Sequence, residues 1–81
     1  MADPRLVLVT IPDCHLCEVA RSVVADVAAA RGIAWREDDL TELSAPPDDW
    51  WEQVPVVLVD GAVVAIWRVA AADLDRALST R

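Results

Sequence analysis

Lysine, phenylalanine and tyrosine are missing from this chain, and glycine, cysteine, histidine and methionine number only two, two, one and one. With no lysine, the positive charge rests on seven arginines against 14 carboxylates, a net charge of −7. That balance excludes the clustered basic surface that holds nucleic acid or an anionic membrane. With neither Phe nor Tyr, the interior has to be filled by aliphatic side chains and four tryptophans, and a chain that is 56% hydrophobic supplies enough of them. Its 81 residues leave room for one domain, 1–81, near the lower size at which a core suffices by itself. No apolar run approaches membrane-spanning length, and Met1-Ala2-Asp3-Pro4-Arg5 is too short and too acidic for a secretory leader. The expected compartment is therefore the cytoplasm, where a lone pair of cysteines points to catalysis or metal binding rather than a permanent staple.

Both cysteines fall in one stretch, Thr10-Ile11-Pro12-Asp13-Cys14-His15-Leu16-Cys17. Before it, Leu6 to Thr10 is an apolar run between Pro4 and Pro12, which predicts a central strand covered on both faces. After it, from Cys14 to about Arg31, apolar residues recur at Leu16, Val19, Ala20, Val23, Val24, Val27 and Ala28, with Glu18, Arg21, Ser22 and Asp26 on the other arc. This is the pattern of an amphipathic helix, with Asp13 as its expected N-cap and Gly32 just past its end. Ile33 to Asp38 predicts a parallel edge strand. From Asp39 to Gln53, Pro46-Pro47 separates two short helical turns, one at Thr41-Glu42-Leu43 and one capped by Asp48. Val54 to Val59, the turn Asp60-Gly61, and Ala62 to Arg68 read as a hairpin. Val69 to Ser79 closes the chain as a helix with Ala70, Leu74, Ala77 and Leu78 on its apolar side. The order β-α-β, short helix or loop, β-β-α predicts an α/β domain with a four-stranded mixed sheet and helices packed on its faces.

A C-x-x-C at a strand-to-helix junction reads as a redox dithiol, because a helix N-terminus favours a thiolate and one helical turn brings the two sulfurs together. Cys14 falls in the exposed first turn and Cys17 one turn deeper, so Cys14 is the candidate nucleophile and Cys17 the resolving thiol. Asp13 and His15 flank the first sulfur and are candidate substrate-binding residues. A structural zinc ion needs two ligands beyond the cysteines, and the one histidine lies between them, so no metal is expected. The tryptophans divide: Trp35 is expected in the core, while Trp50, Trp51 and Trp67 are candidates for a substrate groove.

Cys14-His15-Leu16-Cys17 after the first strand and Val54-Pro55 opening the third, followed by Asp60-Gly61 and Trp67-Arg68, resemble the small glutaredoxin-like family of bacterial proteins marked by C-H-L-C and V-P-V. The resemblance covers nearly the whole chain. It implies a thioredoxin-like fold in its minimal, glutaredoxin-like form and thiol–disulfide oxidoreductase activity. It also implies that Pro55 is a cis-proline beside the dithiol. Such a proline would shield the sulfurs from metal and leave the backbone groups of Val54 open to an extended substrate, making Val54 and Pro55 candidate substrate-binding residues. The implied partners are a disulfide-containing protein or a small-molecule thiol, with no tightly bound cofactor, a low-molecular-weight thiol as co-substrate, and a monomeric state. Glutathione-binding glutaredoxins carry an aromatic residue inside the C-x-x-C and a Gly-Gly turn before the last helix; here His15-Leu16 and Val69-Ala70-Ala71-Ala72-Asp73 stand in those places. The alternative reading is a non-catalytic module that binds a partner or an iron–sulfur cluster through Cys14.

Overall fold

The computed structural model describes residues 4–79. The elements in chain order are β1 (Leu6–Thr10), α1 (His15–Arg31), β2 (Trp35–Asp39), a 3-10 turn (Leu40–Glu42), α2 (Trp50–Gln53), β3 (Val56–Val59), β4 (Ala62–Ile66) and α3 (Ala71–Ser79). They form one four-stranded sheet in the order β2-β1-β3-β4. β1 pairs parallel with β2 and antiparallel with β3, and β3 pairs antiparallel with β4, so the sheet is mixed as the element order predicts.

Alternation along the two central strands separates two cores. Leu6 and Leu8 of β1 and Val57 and Val59 of β3 point to one face, where they meet Ala20, Val24, Val27 and Ala28 of α1 and Leu74 and Leu78 of α3. Val7, Val9 and Val56 point to the other, where Leu40 is buried with them and Leu43, Trp50, Val54 and Ile66 pack around. Helices pack on the sheet as the element order predicts, unequally on its two faces. α1 and α3 lie together on one face, and the irregular chain between β2 and β3 covers the other. Each side-chain set is large enough for its job: two long amphipathic helices fill one face, while Leu40, Leu43 and Trp50 suffice over the smaller patch opposite.

The ends of the elements follow local chemistry. Gly32 terminates α1 with φ +66°, its N–H reaching Ala28 and Ala29, which is the left-handed cap that glycine accommodates. Asp60 and Gly61 have φ of +54° and +83°, the two positive values that a tight hairpin turn requires. Arg5 donates to both carboxylate oxygens of Asp60 at 2.8 and 2.9 Å, strapping the start of β1 to that turn. Other boundaries differ from expectation. β2 begins at Trp35, two residues late, and α3 at Ala71. β4 ends at Ile66 because Trp67 turns into the left-handed region, φ +59°. α2 has Asp49, not Asp48, at its N-cap position, with no side-chain cap bond. Trp35 is half-buried against the larger core.

Candidate functional site

β1 and β3 are antiparallel with Val9 opposite Val56, so the chain leaves the end of β1 and enters the start of β3 at the same end of the sheet. The loop carrying Cys14 and the Val54-Pro55 segment therefore lie side by side, and Ile11, Trp50 and Val54 all pack around the smaller core beneath them. The Val54-Pro55 bond is cis, as the resemblance implies.

Cys14, rather than Asp13, is the N-cap of α1: its backbone is extended and its Sγ accepts the N–H of Cys17 at 3.2 Å. Asp13 instead takes φ +58°, a left-handed turn residue between Pro12 and the helix, a conformation that aspartate tolerates better than most side chains. The cap is displaced by one residue because Pro12 and Asp13 are used up in making the turn. Both cysteines are free thiols, Cys14 partly exposed and Cys17 buried at 1% exposure. Burial pushes the Cys17 thiol up to about 11; the hydrogen bond and charge of Cys14 add to this, while a backbone hydrogen bond with Ile11 and the charge of Arg21 pull the other way. His15 is exposed on the first turn.

Pro55 is buried beneath this surface. The expectation for Val54 is corrected in one respect: its N–H is not open, because it donates to the Trp50 carbonyl at 3.0 Å. Trp67 ties the same segment from the far side. Its backbone N–H reaches the carbonyls of Gln53 and Pro55 at 3.1 and 3.0 Å, and its indole N–H donates to the Glu52 carbonyl at 2.6 Å. Trp67 is nevertheless 53% exposed, so it holds the segment before Pro55 while presenting a ring face to solvent. Trp51 is also exposed, whereas Trp50 packs on the smaller core. An open groove of about 480 Å³, lined by Gln53 and Val63 to Ile66, runs along β4 and contains neither cysteine. Among the described residues no three His, Cys, Asp or Glu side chains converge where an ion could be held.

Two features of the site escape a reading of periodicity. Leu16 and Val19, counted on the apolar stripe of α1, are 39% and 48% exposed, so apolar surface flanks the dithiol. The second is a polar bracket. Thr10, 4% exposed at the end of β1, donates its hydroxyl to Glu37 Oε2 at 2.8 Å. Glu37 of β2 also receives Arg21 of α1 through two bonds of 2.7 Å. The only hint in sequence was a threonine closing an apolar strand and an arginine four residues after Cys17.

The hydrogen bonds of Arg21 hold the Glu37 carboxyl below its usual range; burial opposes them, and the Thr10 hydrogen bond and the charge of Arg21 lower it further. A carboxyl depressed in the folded state adds stability that is complete above its unfolded pKa, about 4.3, and is lost as pH falls through the folded value. Unfolding free energy measured against pH should therefore decline below about pH 5 in the wild type and decline less in Glu37→Gln. Equal acid slopes for the two proteins would refute this account of the bracket.

With the geometry in place, comparison with known proteins decides the family. A sequence model described as "Glutaredoxin-like domain (DUF836)" matches residues 5–79, almost the entire chain. The chain belongs to this family. Among solved structures, the glutaredoxin-like chain is similar to the thioredoxin-like protein BC3987, with a TM-score of 0.57 and 22% identity, covering 89% of this chain and 97% of that one. A threonine-to-alanine mutant of BC3987 superposes with a TM-score of 0.61 at 21% identity, covering 95% and 97%. At that identity the likeness speaks for the thioredoxin-like fold alone. No curated protein matches the chain.

Proposed function

We propose that this glutaredoxin-like domain is a thiol–disulfide oxidoreductase that works through the Cys14–Cys17 pair. The observation that carries the reading is the asymmetry of the two thiols on one helix turn. Cys14 caps α1 from a partly exposed position with its sulfur on a backbone N–H, and Cys17 is buried one turn behind it. In the reaction, the Cys14 thiolate attacks a substrate disulfide, releasing one thiolate and forming a mixed disulfide; Cys17 then attacks Cys14, releases the second thiolate and leaves the protein disulfide. A donor on the first sulfur and access to it suit attack, and burial of the second suits an intramolecular step.

The reading extends to partners as follows. The substrate is a disulfide-containing protein or a small thiol's disulfide, met by His15 and Asp13 beside Cys14 and by the Val54 carbonyl beside Pro55. A low-molecular-weight thiol is the recycling co-substrate, with the domain acting as a monomer in the cytoplasm. No helix of the described residues is long and apolar enough to cross a membrane. Asp73, at the place where glutaredoxins hold glutathione, accepts from Arg76 at 3.4 Å, and the alanines before it bring Cβ atoms where glycine would leave the backbone bare. This favours a small thiol held by contacts other than the usual glutathione cradle.

The test is a stoichiometric one. Mixed with excess dithiobis(nitrobenzoate), the reduced domain should release coloured thiolate in two phases of one equivalent each, ending as the Cys14–Cys17 disulfide. A single phase, with the reagent left attached to the protein, would overturn the oxidoreductase reading.

A further inference from the structure

The dithiol reading leaves one step unexplained, and this inference rests on that reading. Cys17 must become a thiolate to resolve the mixed disulfide, yet it is buried at 1% exposure beneath Cys14. Arg21 stands one turn after Cys17 on α1, and its positive charge favours the Cys17 thiolate. The guanidinium is not free to swing, because both carboxylate oxygens of Glu37 hold it at 2.7 Å and Thr10 fixes that carboxylate from β1 at 2.8 Å. A bidentate guanidinium–carboxylate pair has one preferred geometry, so the bracket fixes where the positive charge sits.

We propose that Arg21 is the positioning residue of the resolving step, held by the Glu37–Thr10 bracket so that its charge stabilises the Cys17 thiolate as it forms beneath the mixed disulfide. The groups that bear on Cys17 support this. On its own helix these are Cys14 and Arg21, with Glu18 and the exposed His15 beside them in sequence; β2 contributes Glu37 behind Arg21; the chain just after β1 contributes the backbone of Ile11, which carries no charge. Once Cys14 is tied to substrate it has no charge and no proton to offer. The interactions of Cys14 that oppose ionisation of Cys17 then disappear, and burial is left facing the Ile11 hydrogen bond and Arg21.

In the step itself, the Cys17 proton passes to solvent and the thiolate forms a bond to Cys14 Sγ. The bond from Cys14 to the substrate sulfur breaks, its electron pair leaves with that sulfur, and the departing thiolate takes a proton from water. The dithiol loses two electrons and the substrate disulfide gains them, so no further reactant is needed.

The second phase of dithiobis(nitrobenzoate) reduction isolates this step, and its rate against pH reports ionisation of Cys17. In Arg21→Gln the second phase should be slower at neutral pH by about tenfold, the equivalent of one pKa unit, with its pH midpoint moved up; the first phase should be unchanged. Arg21→Lys should recover most of the rate. Glu37→Gln should move the midpoint down and speed the second phase several-fold, since the amide oxygen still accepts from Arg21 and keeps it in place while the negative charge that offsets the guanidinium is gone. Both Arg21→Gln and Glu37→Gln break the same ion pair, so a merely structural role would move them in the same direction. Midpoints that are unchanged, or that move together, overturn the role of Arg21, while two released equivalents with no reagent retained on the protein leave the dithiol reading standing. A single equivalent from the wild type overturns both. Should Arg21→Gln fail to fold, the direction of the Glu37→Gln shift decides.

Discussion

Cys14→Ser is expected to abolish disulfide exchange, and Cys17→Ser to stop it half-way. A serine hydroxyl stays protonated at neutral pH and forms no bond to sulfur under these conditions, so Cys14→Ser should lose activity by the roughly 10³-fold or more that follows removal of a nucleophile. The remaining thiol cannot substitute, because Cys17 is buried and its pKa is pushed up to about 11. Cys17→Ser keeps the capping sulfur, though the deeper side chain becomes a hydroxyl, and should attack normally, release one equivalent of thiolate and accumulate a mixed disulfide visible by mass spectrometry. The two variants thus give opposite signatures: unmodified protein without turnover, and modified protein without turnover. Turnover by Cys14→Ser at the wild-type rate would sink the mechanism, and reversed signatures would exchange the two roles.

His15 lies on the exposed turn beside Cys14, as the helix start requires.

The parts of the fold legible in sequence are those written in neighbouring residues. Pro4 and Pro12 bracket β1 at its observed ends, Gly32 stops α1, and Asp60-Gly61 folds the hairpin because those residues tolerate the backbone the turn demands. The V-P-V and C-H-L-C motifs gave the fold through resemblance, and the strand order agrees. What stayed hidden depends on residues far apart in sequence. Thr10 and Glu37 meet only because β1 and β2 pair in parallel with Leu8 beside Glu37, which turns that carboxylate toward the α1 side of the sheet. Leu16 and Val19 satisfy a helical stripe, yet they are exposed while Cys17 and Ala20 beside them are buried, so the face that α1 turns to the sheet is narrower than the stripe. Trp67 looks like a continuation of β4, but three backbone carbonyls of the α2–β3 segment capture its two N–H groups and turn the chain. Periodicity counts residues along one element, and these outcomes are decided by what the neighbouring element brings.

Leu8→Ala is expected to be the most destabilising of these substitutions while leaving the chemistry of the folded molecule intact. Leu8 is fully buried at the middle of β1, paired with Glu37 on one side and Val57 on the other, in the core that α1 and α3 share. Truncation removes the transfer free energy of three carbons and leaves a cavity in a site closed by sheet and helices, a loss of about 2–5 kcal/mol. A domain of 81 residues commands only roughly 4–12 kcal/mol in all, so the urea midpoint should fall by about a sixth at the least with little change in slope. Val63→Ala, at a side chain 46% exposed on β4, should shift stability by no more than about 0.5 kcal/mol. The distinction from Cys14→Ser is then testable in one experiment. Below its unfolding transition, Leu8→Ala should still release two equivalents of thiolate per folded molecule, whereas Cys14→Ser should keep the wild-type urea curve and release none. A Leu8→Ala protein that remained folded but lost the second phase alone would mean that the β1 core sets the geometry of the Thr10–Glu37–Arg21 bracket more tightly than its hydrogen bonds do.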